Sequence, residues 1–228
     1  MKANANVAII ASLVSENSRA AILTVLLDGR FHAASELAYM VGIQPQTASF
    51  HLAKMVNANV VAVEKQGRHR YYGIQNQEVA QVMESLLSIA PPIEIKSFKQ
   101  ASEDKALRYA RTCYDHLAGS LGVQLTNTLL RMDILREKKE GFTVTENGKK
   151  FFTNFQIDFE NVKNKRRSFS NKCLDWSERR HHLAGALGNA LLERLLELNW
   201  VQRLPKTRAI KITPEGKIGF KEVFSMDI

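Results

Sequence analysis

The strongest constraint on this chain is a pair of helix-punctuating residues, Gly42 and Pro45, set close together inside an otherwise helical pattern. Gly42 closes a short helix, Ala34–Val41, and Pro45 takes the first position of the next one with Gln44 before it. The stretch Ile43–Asn57 reads IQPQTASFHLAKMVN. Within it Ala48, Leu52 and Met55 recur at helical spacing and form a buried stripe. Thr47, Phe50, His51 and Lys54 form a second face, short, polar and cationic apart from Phe50. Two short helices joined by a glycine turn make a helix-turn-helix, whose second helix enters a major groove. Val60–Lys65, the turn Gln66-Gly67-Arg68-His69 and Arg70–Ile74 then read as strand, basic turn, strand: a wing.

Charge agrees with that reading. Against 23 acidic residues the chain sets 32 basic ones, for a net charge of +9, which favours a polyanionic partner. Gln44, Gln46, Thr47, Ser49 and His51 sit at or just after a helix N-terminus, where free N–H groups favour phosphate and short polar side chains reach base edges. Gln can read adenine in a bidentate way, His51 and Lys54 suit guanine or phosphate, and Phe50 suits a thymine methyl or a packing edge. Lys65, Arg68, His69 and Arg70 on the wing supply phosphate or minor-groove contacts, and one of Tyr71 and Tyr72 is expected in the core. Two cysteines far apart in sequence make no disulfide framework. The N-terminal MKANANVAII is too weak for a signal peptide and no long apolar run exists, so a cytoplasmic protein without a membrane partner is expected.

The segment SELAYMVGIQPQTASFHLAKMVNANVVAVEKQGRHRYYGI, with Ser49, His51 and Leu52 in an S-x-H-L pattern and GRHRYY in the wing, resembles the ArsR/SmtB family of winged-helix repressors. The resemblance spans residues 7–89. It implies a homodimer formed through the first and last helices of the domain, binding double-stranded operator DNA as a repressor. Metal sensing is common in that family, yet both of its usual ligand positions are blank. Ser35–Val41 reads SELAYMV without cysteine, and Gln75–Ile89 has Glu78 and Glu84 but no histidine. No cofactor is therefore carried over from the resemblance.

Taken in order, Asn6–Leu13 reads as a short apolar helix and Ser18 as the N-cap of Arg19–Leu27, with a short strand at Phe31 and His32. Gln75–Ile89 is a long amphipathic helix whose Val79, Val82, Met83, Leu86 and Leu87 exceed what a small domain can bury. Pro91-Pro92 ends it, separating domain 1–90 from domain 91–228, and 93–100 reads as a linker.

The second domain contains an internal repeat, at about 109–152 and 175–220. His116, Leu117, Ala118, Gly119, Leu121 and Gly122 recur as His182, Leu183, Ala184, Gly185, Leu187 and Gly188. Each copy runs into a strand-like tail, TVTENGKKFF and IKITPEGKIGF, with Thr145, Gly148 and Lys149 matching Thr213, Gly216 and Lys217. The fold class expected is α+β and mainly helical: a winged helix followed by two similar α/β or winged-helix-like repeats. The repeat resembles a C-terminal extension found on a subset of these repressors. Its HLAGxLG signature suits close helix crossing through Ala and Gly.

Ligand chemistry concentrates beside the repeat, above all in CLDWSERRHH, 173–182. A crevice between two copies would hold a small organic effector through Asp115, His116, Trp176, Arg179, Arg180 and His182, the arginines favouring an anion. The alternatives are a thiophilic metal ion on Cys113, His116 and Cys173, with His181 or His182 added, or a Cys113–Cys173 redox switch. In the metal reading, Cys113-x-x-His116 is one turn of a helix. An enzyme fused to a DNA-binding domain, with CLDWSERRHH as its active site, is a further class. No nucleophile–base pair at a known spacing supports it.

Overall fold

The computed structural model describes residues 7–91 and 94–228, and the chain divides into two units, Met1–Glu84 and Ser85–Ile228. In the first, α1 (Val7–Val14) and α2 (Asn17–Leu26) precede β1 (His32–Ala33), α3 (Ala34–Val41), α4 (Pro45–Asn57), β2 (Val61–Gln66) and β3 (His69–Ile74). Helix α5 (Gln77–Ile89) runs across the boundary. Asn6, expected in the first helix, lies outside the described residues. The N-cap of α2 is Glu16, not Ser18: its carboxylate accepts the N–H groups of Ser18 at 3.0 Å and Arg19 at 2.9 Å. One carboxylate spans two free donors at the positive end of the helix, which a single hydroxyl cannot do. Chiefly the bond from the Ser18 N–H brings its pKa down to about 2.

Gly42 caps α3 at φ 71°, and Gln44 caps α4 with Pro45 in its first turn, as the punctuation requires. The antiparallel sheet runs β1-β3-β2, with His32 opposite Tyr72 and Gln66 opposite His69 around the Gly67-Arg68 loop. Ile22, Leu23, Leu26, Leu37, Ala48, Leu52 and Met55 are fully buried and hold α2, α3 and α4 together. Removing one such leucine side chain costs about 2–5 kcal/mol. Tyr71 and Tyr72 are both half-buried, so neither is the core residue expected of one of them.

Beyond the end of α5 the second unit continues with α6 (Phe98–Tyr109), capped by Ser97, whose first turn begins inside the stretch 93–100 expected as a linker. Its sequence carries no apolar stripe and buries no residue completely, so hydrophobic periodicity is silent there. A pattern of hairpin, helix, hairpin, helix then occurs twice. The first copy is β4 (Arg111–Cys113), β5 (His116–Ala118), α7 (Gly119–Arg131), β6 (Leu135–Lys138), β7 (Gly141–Val144) and α8 (Glu146–Asn154). After the short α9 (Phe159–Lys163) comes the second: β8 (Asn171–Leu174), β9 (His181–Ala184), α10 (Gly185–Glu197), β10 (Val201–Arg203), β11 (Ile210–Ile212) and α11 (Pro214–Phe224).

This arrangement corrects two expectations. The tails are not continuous strands: Thr145 and Thr213 are N-caps whose hydroxyls accept the N–H of Gly148 and Gly216, and helices begin there. The HLAGxLG signature is a strand-to-helix turn rather than a helix crossing. Gly119 and Gly185 take φ 79° and 81°, and a Cβ there would stand 2.7 Å from the Arg108 carbonyl oxygen or 2.8 Å from that of Ser168. The copies interlock: α7 of the first packs on β9 of the second, and α10 of the second on β5 of the first. Their shared core includes Leu121, Leu125, Leu129, Phe152, Leu187, Leu191, Leu195, Phe220 and Phe224.

Candidate functional site

Helix α4 turns one face inward and leaves the other free. Gln44, Gln46, Thr47, Ser49, Phe50 and Lys54 are exposed, as are Lys65, Arg68, His69 and Arg70 on the β2–β3 wing. Phe50 is 57% exposed and lies under the Lys54 ammonium, 4.4 Å from its ring centre. The ring is thus a partner for a cation rather than a plug in the core. His51 departs from the expected set. It is only 8% exposed, with Nδ1 3.3 Å from Arg19 Nη1 and Nε2 3.6 Å from the Glu16 carboxylate. Arg19 also donates to the carbonyls of Ser12 and Leu13 at the end of α1. His51 therefore ties α4 to the α1–α2 junction and does not present its ring to a groove.

In the second unit the β4–β5 and β8–β9 hairpins bring four side chains together. Cys113, His116, Cys173 and His182 place one ligand atom each so that all lie within 4.8 Å of one another. Cys113 stands directly across its hairpin from His116, and Cys173 across its own from His182. The helical turn expected for Cys113-x-x-His116 is thus a two-residue hairpin loop, with Tyr114 at φ 59°. No disulfide joins the two thiols, whose Sγ atoms are 3.7 Å apart, far beyond the ~2.05 Å of an S–S bond. The two Nε2 atoms face each other at 3.1 Å.

Behind each imidazole stands a carboxylate: Asp115 Oδ1 is 3.2 Å from His116 Nδ1, and Asp175 Oδ2 is 3.6 Å from His182 Nδ1. An arginine from the other copy's side holds each carboxylate. Arg167 binds Asp115, and the fully buried Arg111 donates to Asp175 at 2.9 Å. Asp175 also accepts the N–H groups of Gly119 and Ser177 and the Ser177 hydroxyl. Burial opposes its charge, but Arg111, Ser177 and Gly119 outweigh it and keep the carboxyl well below its usual range. Burial likewise opposes protonation of His116, yet Cys113 and Asp115 push its pKa up to about 10. Burial and the neighbouring His116 hold His182 well below the ordinary value.

Residues 16–63 match the family model described as "Bacterial regulatory protein, arsR family". Over 225 residues, 99% of this chain and 100% of the relative, the sequence is 53% identical to the HTH-type transcriptional regulator YdfF of Bacillus subtilis (strain 168). The chain belongs to the ArsR family of bacterial regulatory proteins. Among solved structures, NolR from Sinorhizobium fredii is 26% identical, covering 36% of this chain and 82% of NolR with a TM-score of 0.34. HlyU from Vibrio cholerae N16961 is 25% identical, covering 38% of this chain and 94% of HlyU with a TM-score of 0.35. The protein is a DNA-binding transcriptional regulator with an α+β, mainly helical fold.

In this ArsR-family regulator the residues expected around an organic effector do not share one opening. Asp115, His116 and His182 belong to the buried cluster just described. The Arg111 guanidinium carbon lies over the Trp176 ring, 4.3 Å from its centre, with that of Arg108 5.2 Å away. Arg179 is exposed and donates to the Ser88 carbonyl, and Arg180 lines a separate cavity of about 610 Å³ with Gln124, Asn127 and Arg131. The cationic run 163–167 is exposed except at its last residue, Arg167, which Asp115 recruits.

Three contributors escaped the sequence reading: Arg111, Arg167 and Asp175. The signal for Asp175 was present. Cys113 and Cys173 are 60 residues apart and His116 and His182 are 66 apart, so the second hairpin holds six residues more between its Cys and its His than the first. Allowing that gap aligns CYDH with CLD…H, and Cys, Asp and His all repeat. No single helix among the described residues is long and apolar enough to cross a membrane.

Proposed function

We propose that this regulator is a homodimeric repressor that reads a two-fold operator, with α4 of each subunit in one of two successive major grooves. The observation that carries this reading is the exposed polar row of Gln44, Gln46, Thr47 and Ser49 on a helix whose opposite face is locked in the core. The wing residues Lys65, Arg68, His69 and Arg70 lie along phosphates, and the net charge of +9 adds long-range attraction. Dimerisation is supported by apolar side chains left exposed on α1, at Val7, Ile9 and Ile10, and on α5, at Val82, Leu86 and Ile89. Half-sites centred about 34–36 Å apart follow from this geometry.

The second unit supplies the input rather than a catalytic activity. Its two thiols face each other and two imidazoles within the protein instead of lining an open cleft. An effector there releases the operator only if it binds the free and DNA-bound forms with different affinity. Footprinting of the full-length protein on random-sequence and selected duplexes, with sedimentation equilibrium, tests the reading. Protection of a palindromic site by a dimer is expected. Uniform protection without a preferred site, or binding by a monomer, would overturn it.

A further inference from the structure

We infer that Cys113, His116, Cys173 and His182 form a tetrahedral Cys2His2 centre for a thiophilic divalent cation, zinc above all, which joins the two repeats. The inference stands on the geometry of the second unit alone and is independent of how the first unit meets DNA.

The spacing of the donors fits one central ion. The edge of a tetrahedron is about 1.6 times the distance from its centre to a corner. Zinc–sulfur bonds of about 2.3 Å therefore set two sulfurs about 3.8 Å apart, and zinc–nitrogen bonds of about 2.0 Å set two nitrogens about 3.3 Å apart. The thiols are 3.7 Å apart and the Nε2 atoms 3.1 Å apart. Both pairs sit at the tetrahedral edge, and neither matches a covalent link.

The groups behind the donors fit as well. A metal-bound histidine usually gives its second ring N–H to a carboxylate, which fixes the tautomer and aims the free lone pair at the ion. Asp115 is within hydrogen-bond reach of His116 Nδ1 at 3.2 Å, and Asp175 stands behind His182 Nδ1 at 3.6 Å, an electrostatic neighbour rather than a hydrogen-bond partner. With Nδ1–H directed at the carboxylates, both Nε2 lone pairs converge on the same point. That convergence is repulsive unless a cation or a proton lies between them. The donors are also anchored: each hairpin sets its Cys and His directly across from each other, and α7 and α10 each clamp the other copy's hairpin.

Two thiolates and two neutral imidazoles neutralise a divalent ion, so the closed site carries no net charge within its own shell. Cys113, His116 and His182 are buried and Cys173 is partly exposed, which leaves Cys173 as the side from which an ion enters. Every proton the four donors carry on their ligating atoms leaves to solvent on binding, so affinity falls as pH drops.

The test uses the full-length protein, kept reduced, with cobalt(II) as a spectroscopic probe and zinc as competitor. Uptake of one equivalent of cobalt is expected, with the intense visible d–d bands of a tetrahedral site and a thiolate charge-transfer band, both abolished by one equivalent of zinc. Cys113→Ser with Cys173→Ser should remove the charge-transfer band and weaken uptake at least 100-fold. Asp115→Asn should weaken it about 10–100-fold while keeping the tetrahedral bands. Thiol alkylation of the unmodified protein adds a measurement that needs no variant: zinc should slow it at least tenfold, and a chelator should restore it. Absence of stoichiometric uptake, octahedral cobalt, uptake unchanged in the double variant, or alkylation indifferent to zinc would each overturn the assignment. Ready oxidation to a Cys113–Cys173 disulfide in the presence of equimolar zinc would also overturn it, in favour of a thiol switch.

Discussion

Hairpin β2–β3 carries its charge at a tip that solvent reaches, since Lys65, Gln66, Gly67, Arg68, His69 and Arg70 are all exposed. Hairpins β4–β5 and β8–β9 turn Cys113, His116 and His182 inward, at 3%, 5% and 1% exposed, while Arg179 and Arg180 of the β8–β9 turn stay in solvent. At the exposed tip each cation keeps its water and acts on a distant polyanion through the field. In the interior each charged or polar group needs a partner, because desolvation is costly. Hence the chain of Arg167, Asp115 and His116 and its counterpart of Arg111, Asp175 and His182. The same supersecondary unit leaves its cations in solvent in one half and closes a polar cluster in the other. Which side chains beside the turn face the interior makes the difference.

The sharpest way to break this contrast is Asp175→Ala, which strands the Arg111 guanidinium in the interior. It should cost about 3–5 kcal/mol of stability in the second unit. Both tryptophans, Trp176 and Trp200, lie in that unit, so urea unfolding followed by their fluorescence reads it directly. A loss below about 1 kcal/mol would mean that Asp175 is not the electrostatic centre described above.

His51→Ala tests the corrected role of that residue in the first unit. It should lower the unit's stability by about 1–3 kcal/mol, by circular dichroism on thermal unfolding, and leave the preferred operator sequence unchanged. A changed base preference with unchanged stability would return His51 to the groove. Gln46→Ala should act the opposite way: intact stability, with about 1–3 kcal/mol less discrimination at one or two base positions in a binding-site selection. The smallest effect belongs to the wing. Arg68→Ala should weaken binding to all sequences alike and reduce the slope of log affinity against log salt by about one. A sequence-dependent loss would show that the wing reads bases.

Much of the first unit was legible because its instructions are local. Gly42, Gln44 and Pro45 punctuate α3 and α4 through backbone conformation and a missing N–H, which need no distant partner. The alternation around Gly67 likewise contains its own turn. The second unit was less legible. Strand runs of three or four residues, such as Arg111–Cys113 and His181–Ala184, are too short for a period-two pattern to separate from the start of a helix. HLAG therefore read as helix, although its glycine marks the turn out of a strand. The effector residues of 173–182 read as one site because they are neighbours in sequence, whereas Trp176, Arg179 and Arg180 lie in the turn 175–180 and His182 on β9, each with different surroundings.

The sequence by itself determined the helix-turn-helix, the basic wing and the presence of a duplicated second half, because caps, turn glycines and apolar spacing act over a few residues. Only the tertiary structure decided that His51 is held by Arg19 and Glu16, and that Cys113 meets Cys173 across 60 residues of chain. Those outcomes depend on which elements pack together. The side chains converge only once α7 has seated on β9 and α10 on β5, a long-range pairing that no local pattern specifies.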